Sequence, residues 1–399
     1  MSKRTQIRAG IVGSGFSARF HYEALQRVYG VECSVTGVYS PTPENRRRFA
    51  EDFGIGEFAT LDDLIGAVDV VHVCSPAATH ESIACAALAA GRHVIIEKPF
   101  TGYFGDGSEN FDGRTFDREE GLRAALGSVH RIREAERGSS GVVSYAENWV
   151  YAPAIQKERE ILEKAGGQIL WLHGEEAHSG SHSPYYGMWK YSGGGSLMGK
   201  GVHPLTAALY LKQVEGRVRA GTPIRPASVS CRTHTVTGLP NYEDAGYLRT
   251  GYQDVEDFAG IHVTFEDGTA ADLFASELVL GGVHNWLEVC TNTHRTICNI
   301  NPNTAMQTYN PEESRFSDIY VVEKIGTKQG WAFTSPDEDW FTGYQHEMQS
   351  FYQCIASGQP PESGSLLGGD TIATVYAGYL SAARSSQEVS VPRSLSDFP

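Results

Sequence analysis

Apolar runs alternate with helix-period segments through the first 150 residues. Residues 7–12 (IRAGIV), 33–39, 68–74 and 93–97 are almost continuously apolar, as strands are when both faces are covered. Between them, 19–29, 44–53, 61–66 and 80–90 carry the 3.6-residue period of helices. Strands spaced by helices at these intervals predict βαβ units around a parallel sheet. Residues 101–118 break the pattern with Gly, Asp and aromatic residues, and predict a loop too long for a simple connection. A helix over 119–137 and a strand over 142–149 complete this part.

The period then changes. A helix at 154–165, a strand at 168–177, a Gly-rich turn and a helix at 203–213 precede five alternating segments: 227–236, 257–267, 269–280, 285–291 and 295–300. Turn signals such as Glu266-Asp267-Gly268 and Gly281-Gly282 separate them and predict an antiparallel meander. Helices at 338–356 and 368–385 close the chain, and no internal repeat is present. The expected fold is α/β: a Rossmann-type doubly wound parallel sheet over 1–150, with 101–118 inserted, and an α+β domain with an open, mainly antiparallel sheet over 151–399.

Composition narrows the partners. The 399 residues are 41% hydrophobic and carry a net charge of −15. That excess of acid repels phosphate backbones and anionic membranes. No stretch approaches the roughly 20 apolar residues of a membrane span, and no leader pattern opens the chain. Seven scattered Cys form no CxxC pair, which fits reduced thiols in a cytoplasmic protein.

Two stretches carry chemistry. Gly13-Ser14-Gly15-Phe16-Ser17-Ala18 follows a strand and opens a helix. Its first Gly permits a tight turn, its second lets backbone approach a pyrophosphate, and the small sixth residue packs helix on strand. The helix start then offers free N–H groups to phosphates. NAD or NADP is the expected cofactor. The second strand ends in Tyr39-Ser40-Pro41-Thr42 rather than a carboxylate. With Arg46 and Arg47 close behind, the balance tilts towards NADP. The fourth strand ends in Glu97-Lys98-Pro99, at the sheet edge where ligands of open α/β sheets bind. Lys98 can exchange a proton with a substrate oxygen, provided that burial and a cationic nicotinamide lower its pKa, with Glu97 orienting it.

These residues, with Cys74-Ser75-Pro76…His80, Gly193-Gly194-Gly195…His203 and Ser381…Val389-Ser390-Val391-Pro392, resemble the Gfo/Idh/MocA family of glucose–fructose oxidoreductase and inositol dehydrogenase. The resemblance covers nearly the whole chain, in family order. It implies a catalytic Lys98, a catalytic or substrate-orienting His203, and Ser75, Pro76 and His80 beside the cofactor. It also implies sugar- or cyclitol-like substrates and a homodimer or homotetramer formed through the C-terminal sheet. The chain departs from the family at one position: the usual Asp of the GGG-x-x-x-Asp-x-Gly-x-His pattern is Gly199, followed by Lys200. One reading is an acidic substrate met by Lys98 and Lys200.

Glu176 and His178 alternate along a strand and so share a face, with His182 just beyond a Gly turn. With His203 they make a pocket cluster suited to substrate hydroxyls; no metal is expected. Asn148, Trp149 and Tyr151, at the end of the strand into the second domain, also suit a ring of hydroxyls. The 101–118 loop follows Lys98 and reads either as a lid or as a surface excursion. The leading function is hydride transfer on a secondary alcohol or ketone of a sugar, cyclitol or sugar acid. A nucleotide-sensing regulator, and a hydrolase or isomerase with tightly held NAD, are the alternatives.

Overall fold

A computed structural model describes residues 6–181, 183, 185–301 and 305–398. The first part runs β1 (Ile7–Val12), α1 (Phe16–Leu25), β2 (Cys33–Tyr39), α2 (Pro43–Phe53), β3 (Gly56–Glu57) and α3 (Leu61–Ala67). It continues with β4 (Val70–Val73), α4 (His80–Ala89), β5 (His93–Glu97), α5 (Arg118–Arg137) and β6 (Val143–Ala146). Its strands form one parallel sheet in the order β3-β2-β1-β4-β5-β6. The order reverses between β1 and β4, and the chain leaves a crevice at their carboxyl ends. Local sequence sets the helix starts. Pro43 stands in the first turn of α2, Thr60 caps α3 by accepting from Asp63 N–H, and Asp117 caps α5 by accepting from Glu119 N–H.

The strand expected over 142–149 stops at Ala146. There Glu147 turns the chain by capping α6 (Asn148–Tyr151), a single helical turn. Next come α7 (Pro153–Ala165), β7 (Ile169–Ala177), α8 (Trp189–Ser192), a π-type turn (Leu197–Gly201), α9 (Val202–Ala220), β8 (Pro226–His234), β9 (Phe258–Phe265) and β10 (Ala270–Ser276). The last elements are β11 (His284–Thr291), β12 (Arg295–Asn301), β13 (Thr308–Asn310), β14 (Gly330–Ala332), α10 (Glu338–Thr342), α11 (Tyr344–Ser357), α12 (Ser365–Ala383) and β15 (Val389–Ser390). The helix read over 338–356 breaks at Gly343, which is left-handed with φ of 98°.

The second sheet is not the plain meander expected. Its order is β12-β11-β7-β10-β9-β8-β15, with β7 inserted between β10 and β11 and parallel to β10. Strand order is set by which faces must be covered, and the local turn signals do not encode it. Helices α9 and α12 cover one face of this sheet, and α12 also packs on α5 of the first part. One continuous core therefore joins both sheets. The other face stays open, with Trp171, Phe274 and Ile297 exposed.

Loop 101–117 is a strap fastened to the second part, not a free lid. Tyr103 N–H donates to Tyr376 Oη (2.6 Å), Trp189 Nε1 donates to Tyr103 O (2.9 Å), and Gly113 N–H donates to Asp254 (2.8 Å). Phe116 packs edge-on against Trp189, and Arg118 lies over both rings.

Inside α9, Lys212 is fully buried and its ammonium is held by Glu215 (2.5 Å) and Asp267 (2.8 Å). Removing one partner of a buried ion pair strands the other charge. Lys212→Met is therefore expected to lower stability by about 3 kcal/mol, read as a fall in the urea midpoint at unchanged slope.

Candidate active site

The turn between β1 and α1 has the shape of a phosphate cradle. Gly13 has φ of +114°, and a Cβ there would lie 2.4 Å from the carbonyl oxygen of Cys74. A Cβ on Gly15 would meet nothing within 4 Å, so the chain opens onto free space beside the start of α1. No side chain caps that ten-residue helix, leaving its first N–H groups free for an anion. Ser14 Oγ donates to Ser40 Oγ (3.2 Å), Ser17 Oγ donates to Cys74 O (3.4 Å), Phe16 is exposed, and Ala18 is buried against the sheet. These residues fit a dinucleotide pyrophosphate.

The other cofactor candidates divide. Ser75 and Pro76 lie just past β4, with Ser75 Oγ bonded to Thr79 Oγ1 (2.7 Å). His80 is buried and bridges the carbonyls of Ser75 and Pro99, each at 3.0 Å, so it ties two loops together. Arg46 is not the free cation that the sequence suggested. It is 8% exposed and donates to Glu57 (2.9 Å) and to the carbonyl of Ser40 (3.0 Å). The expectation of NADP rested on the missing carboxylate after β2 and on Arg46 or Arg47; Arg46 is engaged, whereas the Arg47 side chain is 61% exposed and 4.0 Å from Glu57.

Lys98 sits at the end of β5. Its Nζ donates to the carbonyl of Gly199 (3.1 Å) and to Tyr186 Oη (3.4 Å), and Tyr186 Oη donates to the same carbonyl (3.0 Å). Burial acts to lower the pKa of this ammonium. Tyr186, Glu176, Glu97 and Glu147 outweigh burial and hold the pKa above the ordinary lysine value. The sequence reading expected the opposite direction, because the carboxylates gathered from β7 and the start of α6 are distant in the chain.

Glu97 orients the backbone rather than the ammonium: its Oε2 accepts from Lys98 N–H (2.8 Å). Its Oε1 meets His21 Nε2 (3.0 Å), His21 Nδ1 meets His72 Nδ1 (2.9 Å), and His72 Nε2 meets Tyr352 Oη (2.8 Å). A carboxylate only accepts. His21 Nε2 is therefore the donor to Glu97. Burial, with His21 adding to it, pushes His72 well below the ordinary imidazole range, which keeps it neutral.

His203 opens α9 and lies between two carboxylates. Its Nδ1 is 2.5 Å from Glu147 Oε1, and its Nε2 is 3.8 Å from Glu176 Oε2. Burial lowers the imidazole pKa, but Glu147 and Glu176 outweigh it and raise the group above its usual value. Glu176 is itself pushed up by burial, against the pull of His203, Lys98 and Lys200. The turn that presents this histidine is fixed by buried Glu256. Its carboxylate accepts from Gly195 N–H (3.1 Å), Leu197 N–H (2.9 Å) and Tyr379 Oη (2.8 Å), and burial pushes it up to about 7.

The remaining candidates are distributed unevenly. Lys200 is 2% exposed and ion-paired with Glu277, so it does not reach freely for an acidic substrate. His178 is buried, accepts from Gly180 N–H (3.0 Å) and stands 3.9 Å from Glu277. Trp149 lies parallel to the His203 ring at 6.1 Å. Asn148 donates to Thr342 O (2.8 Å) and Tyr151 Oη accepts from Ser363 N–H (3.1 Å), so both serve packing between elements. His182 lies outside the described residues. The sequence reading missed Tyr186, Glu147 and Glu277. Glu147 directly precedes the Asn148-Trp149 pair singled out there, and that adjacency was the available signal.

Comparison with known proteins matches this geometry to a class. The pattern of an oxidoreductase family with an NAD-binding Rossmann fold matches residues 7–112, and that of the GFO/IDH/MocA C-terminal domain matches 155–294. The chain belongs to the GFO/IDH/MocA oxidoreductase family. UDP-N-acetylglucosamine 3-dehydrogenase of Acidithiobacillus ferrooxidans is 31% identical over 160 residues, 39% of this chain and 49% of that one. Inositol 2-dehydrogenase of Leifsonia xyli is 31% identical over 103 residues, 25% of this chain and 30% of that one. The match thus spans half or less of these relatives. The crystal structure of GenD2 from gentamicin A biosynthesis, in complex with NAD, superposes with a TM-score of 0.77 at 23% identity, covering 98% of each chain. Apo scyllo-inositol dehydrogenase from Lactobacillus casei does so with a TM-score of 0.70 at 17% identity, covering 97% of this chain and 99% of that one. At these identities the likeness is one of fold. No helix of the described residues is long and apolar enough to cross a membrane.

The charge of Glu147 favours the protonated form of His203. Glu147→Gln removes that charge, so the imidazole titration is expected to fall by about one unit, followed by histidine NMR across pH 5–9.

Proposed function

We propose that this protein is an NAD-dependent dehydrogenase or reductase acting on a secondary alcohol or ketone of a sugar, cyclitol or related derivative. The observation that carries the reading is the meeting of Lys98 and His203, from β5 and α9, around Glu147 and Glu176. A bound nicotinamide supplies the hydride donor or acceptor.

The protein residues supply the rest. Gly13, Ser14, Gly15 and the start of α1 hold the pyrophosphate. Lys98 Nζ exchanges the proton of the substrate oxygen. The surrounding carboxylates favour the ammonium, the form that gives a proton to a carbonyl oxygen. Oxidation of an alcohol runs through the neutral amine. His203, held by Glu147, orients the substrate hydroxyl next to the reacting one, and Glu176, with its Oε2 lacking a hydrogen-bond partner among the described residues, accepts from another. The dehydrogenase relatives act on UDP-N-acetylglucosamine and inositol, by their names. The open sheet face bearing Trp171, Phe274 and Ile297 is the surface through which two copies would pair.

Lys98→Met is expected to cut turnover by at least about a hundredfold, with NAD+ affinity within a few-fold of wild type, read at the nicotinamide absorbance over a panel of polyols, sugars and sugar acids. Near-normal rates in that variant would remove the role given to Lys98. A wild-type protein that binds NAD+ and turns over nothing in the panel would point to a nucleotide sensor. Because Glu57 engages Arg46, calorimetry is expected to give tighter binding of NAD+ than of NADP+; the reverse order would restore NADP as the cofactor.

A further inference from the structure

Tyr186 is hydrogen-bonded to the Lys98 ammonium. Lys98 Nζ, Tyr186 Oη and the carbonyl oxygen of Gly199 form a triangle with sides of 3.4, 3.0 and 3.1 Å. The ring is also flanked by two cations, Lys98 Nζ at 5.9 Å and Lys200 Nζ at 5.7 Å from its centre. Lys200 is held in place there by Glu277. The ring occupies the space that a side chain at position 199 would fill. A Cβ on Gly199 would lie 2.3 Å from Tyr186 Cε1 and 2.7 Å from its hydroxyl oxygen. Any residue but glycine at 199 therefore displaces Tyr186, and the carboxylate that the sequence pattern lacks at this position could not coexist with the ring.

We propose that Tyr186 is the positioning residue of the Lys98 ammonium, and that the missing side chain at Gly199 is what admits it. The hydroxyl donates to the Gly199 carbonyl, so its lone pairs face the ammonium, which is thereby shared between the Tyr186 hydroxyl and the Gly199 carbonyl. The other groups facing Lys98 are Glu97 of β5, Glu147 before α6, Glu176 of β7 and His203 of α9. Those are three carboxylates and an imidazole, whereas Tyr186 contributes a phenol hydroxyl in hydrogen-bond reach of the ammonium. Its removal leaves the surrounding charges in place and takes away one acceptor that favours the protonated amine. The inference rests on Lys98 as the proton-exchanging group, but its test does not require turnover.

The test is competitive acetylation of the full-length protein with trace acetic anhydride at pH 9, read by mass spectrometry. It gives the rate at Lys98 relative to Lys157, whose side chain is 67% exposed. Only the free amine reacts, so the ratio reports the proton affinity of Lys98. In Tyr186→Phe the ring still fills its space, and the Lys98:Lys157 ratio is expected to rise about tenfold, the equivalent of one pKa unit. Gly199→Ala, which forces the ring away, is expected to shift the ratio in the same direction. A ratio within twofold of wild type in either variant overturns the proposal. If both ratios rise while wild-type protein turns over no polyol, the positioning role stands and the enzymatic reading falls.

Discussion

The site is organised by the electrostatics of buried carboxylates around a small number of cations. Glu97, Glu147, Glu176 and Glu277 come from four separate elements, and each faces a lysine or a histidine. In water such pairs are worth little. Removed from water, an unpaired member is costly, so each side chain is held where its partner lies. That constraint favours the protonated forms of Lys98 and His203 and holds both in defined places.

The same constraint explains why the fold needs both sheets. Lys98 directly follows a strand of the parallel sheet, and His203 stands in the first turn of a helix on the mixed sheet. Their carboxylate partners arrive from the junction at Glu147 and from β7. The strap over 101–117 and the packing of α12 on α5 join the two halves in one core, so the junction is a buried floor for the site. The histidine chain below Glu97 extends that floor. It ends on the carboxylate of Glu97, which also accepts from the backbone N–H of Lys98.

The replacement of a carboxylate by Gly199 with Tyr186 beside it changes what the pocket offers a substrate. Lys200, which the sequence suggested as a second cation for an acidic ligand, is instead neutralised by Glu277.

The sequence by itself determined the parallel sheet, the glycine turn after β1 and the placement of Lys98 at a strand end. These features depend on residues within a few positions of one another, where period, turn chemistry and backbone freedom act locally. It also singled out Glu176 and His203 through alternation and motif, and the fold brings them to 3.8 Å. Only the tertiary structure decided the insertion of β7 between β10 and β11, the engagement of Arg46 by Glu57 and of Lys200 by Glu277, and the upward shift of Lys98. Those depend on charges and faces brought together from distant parts of the chain, where burial and Coulomb attraction act across space and leave no local pattern to read.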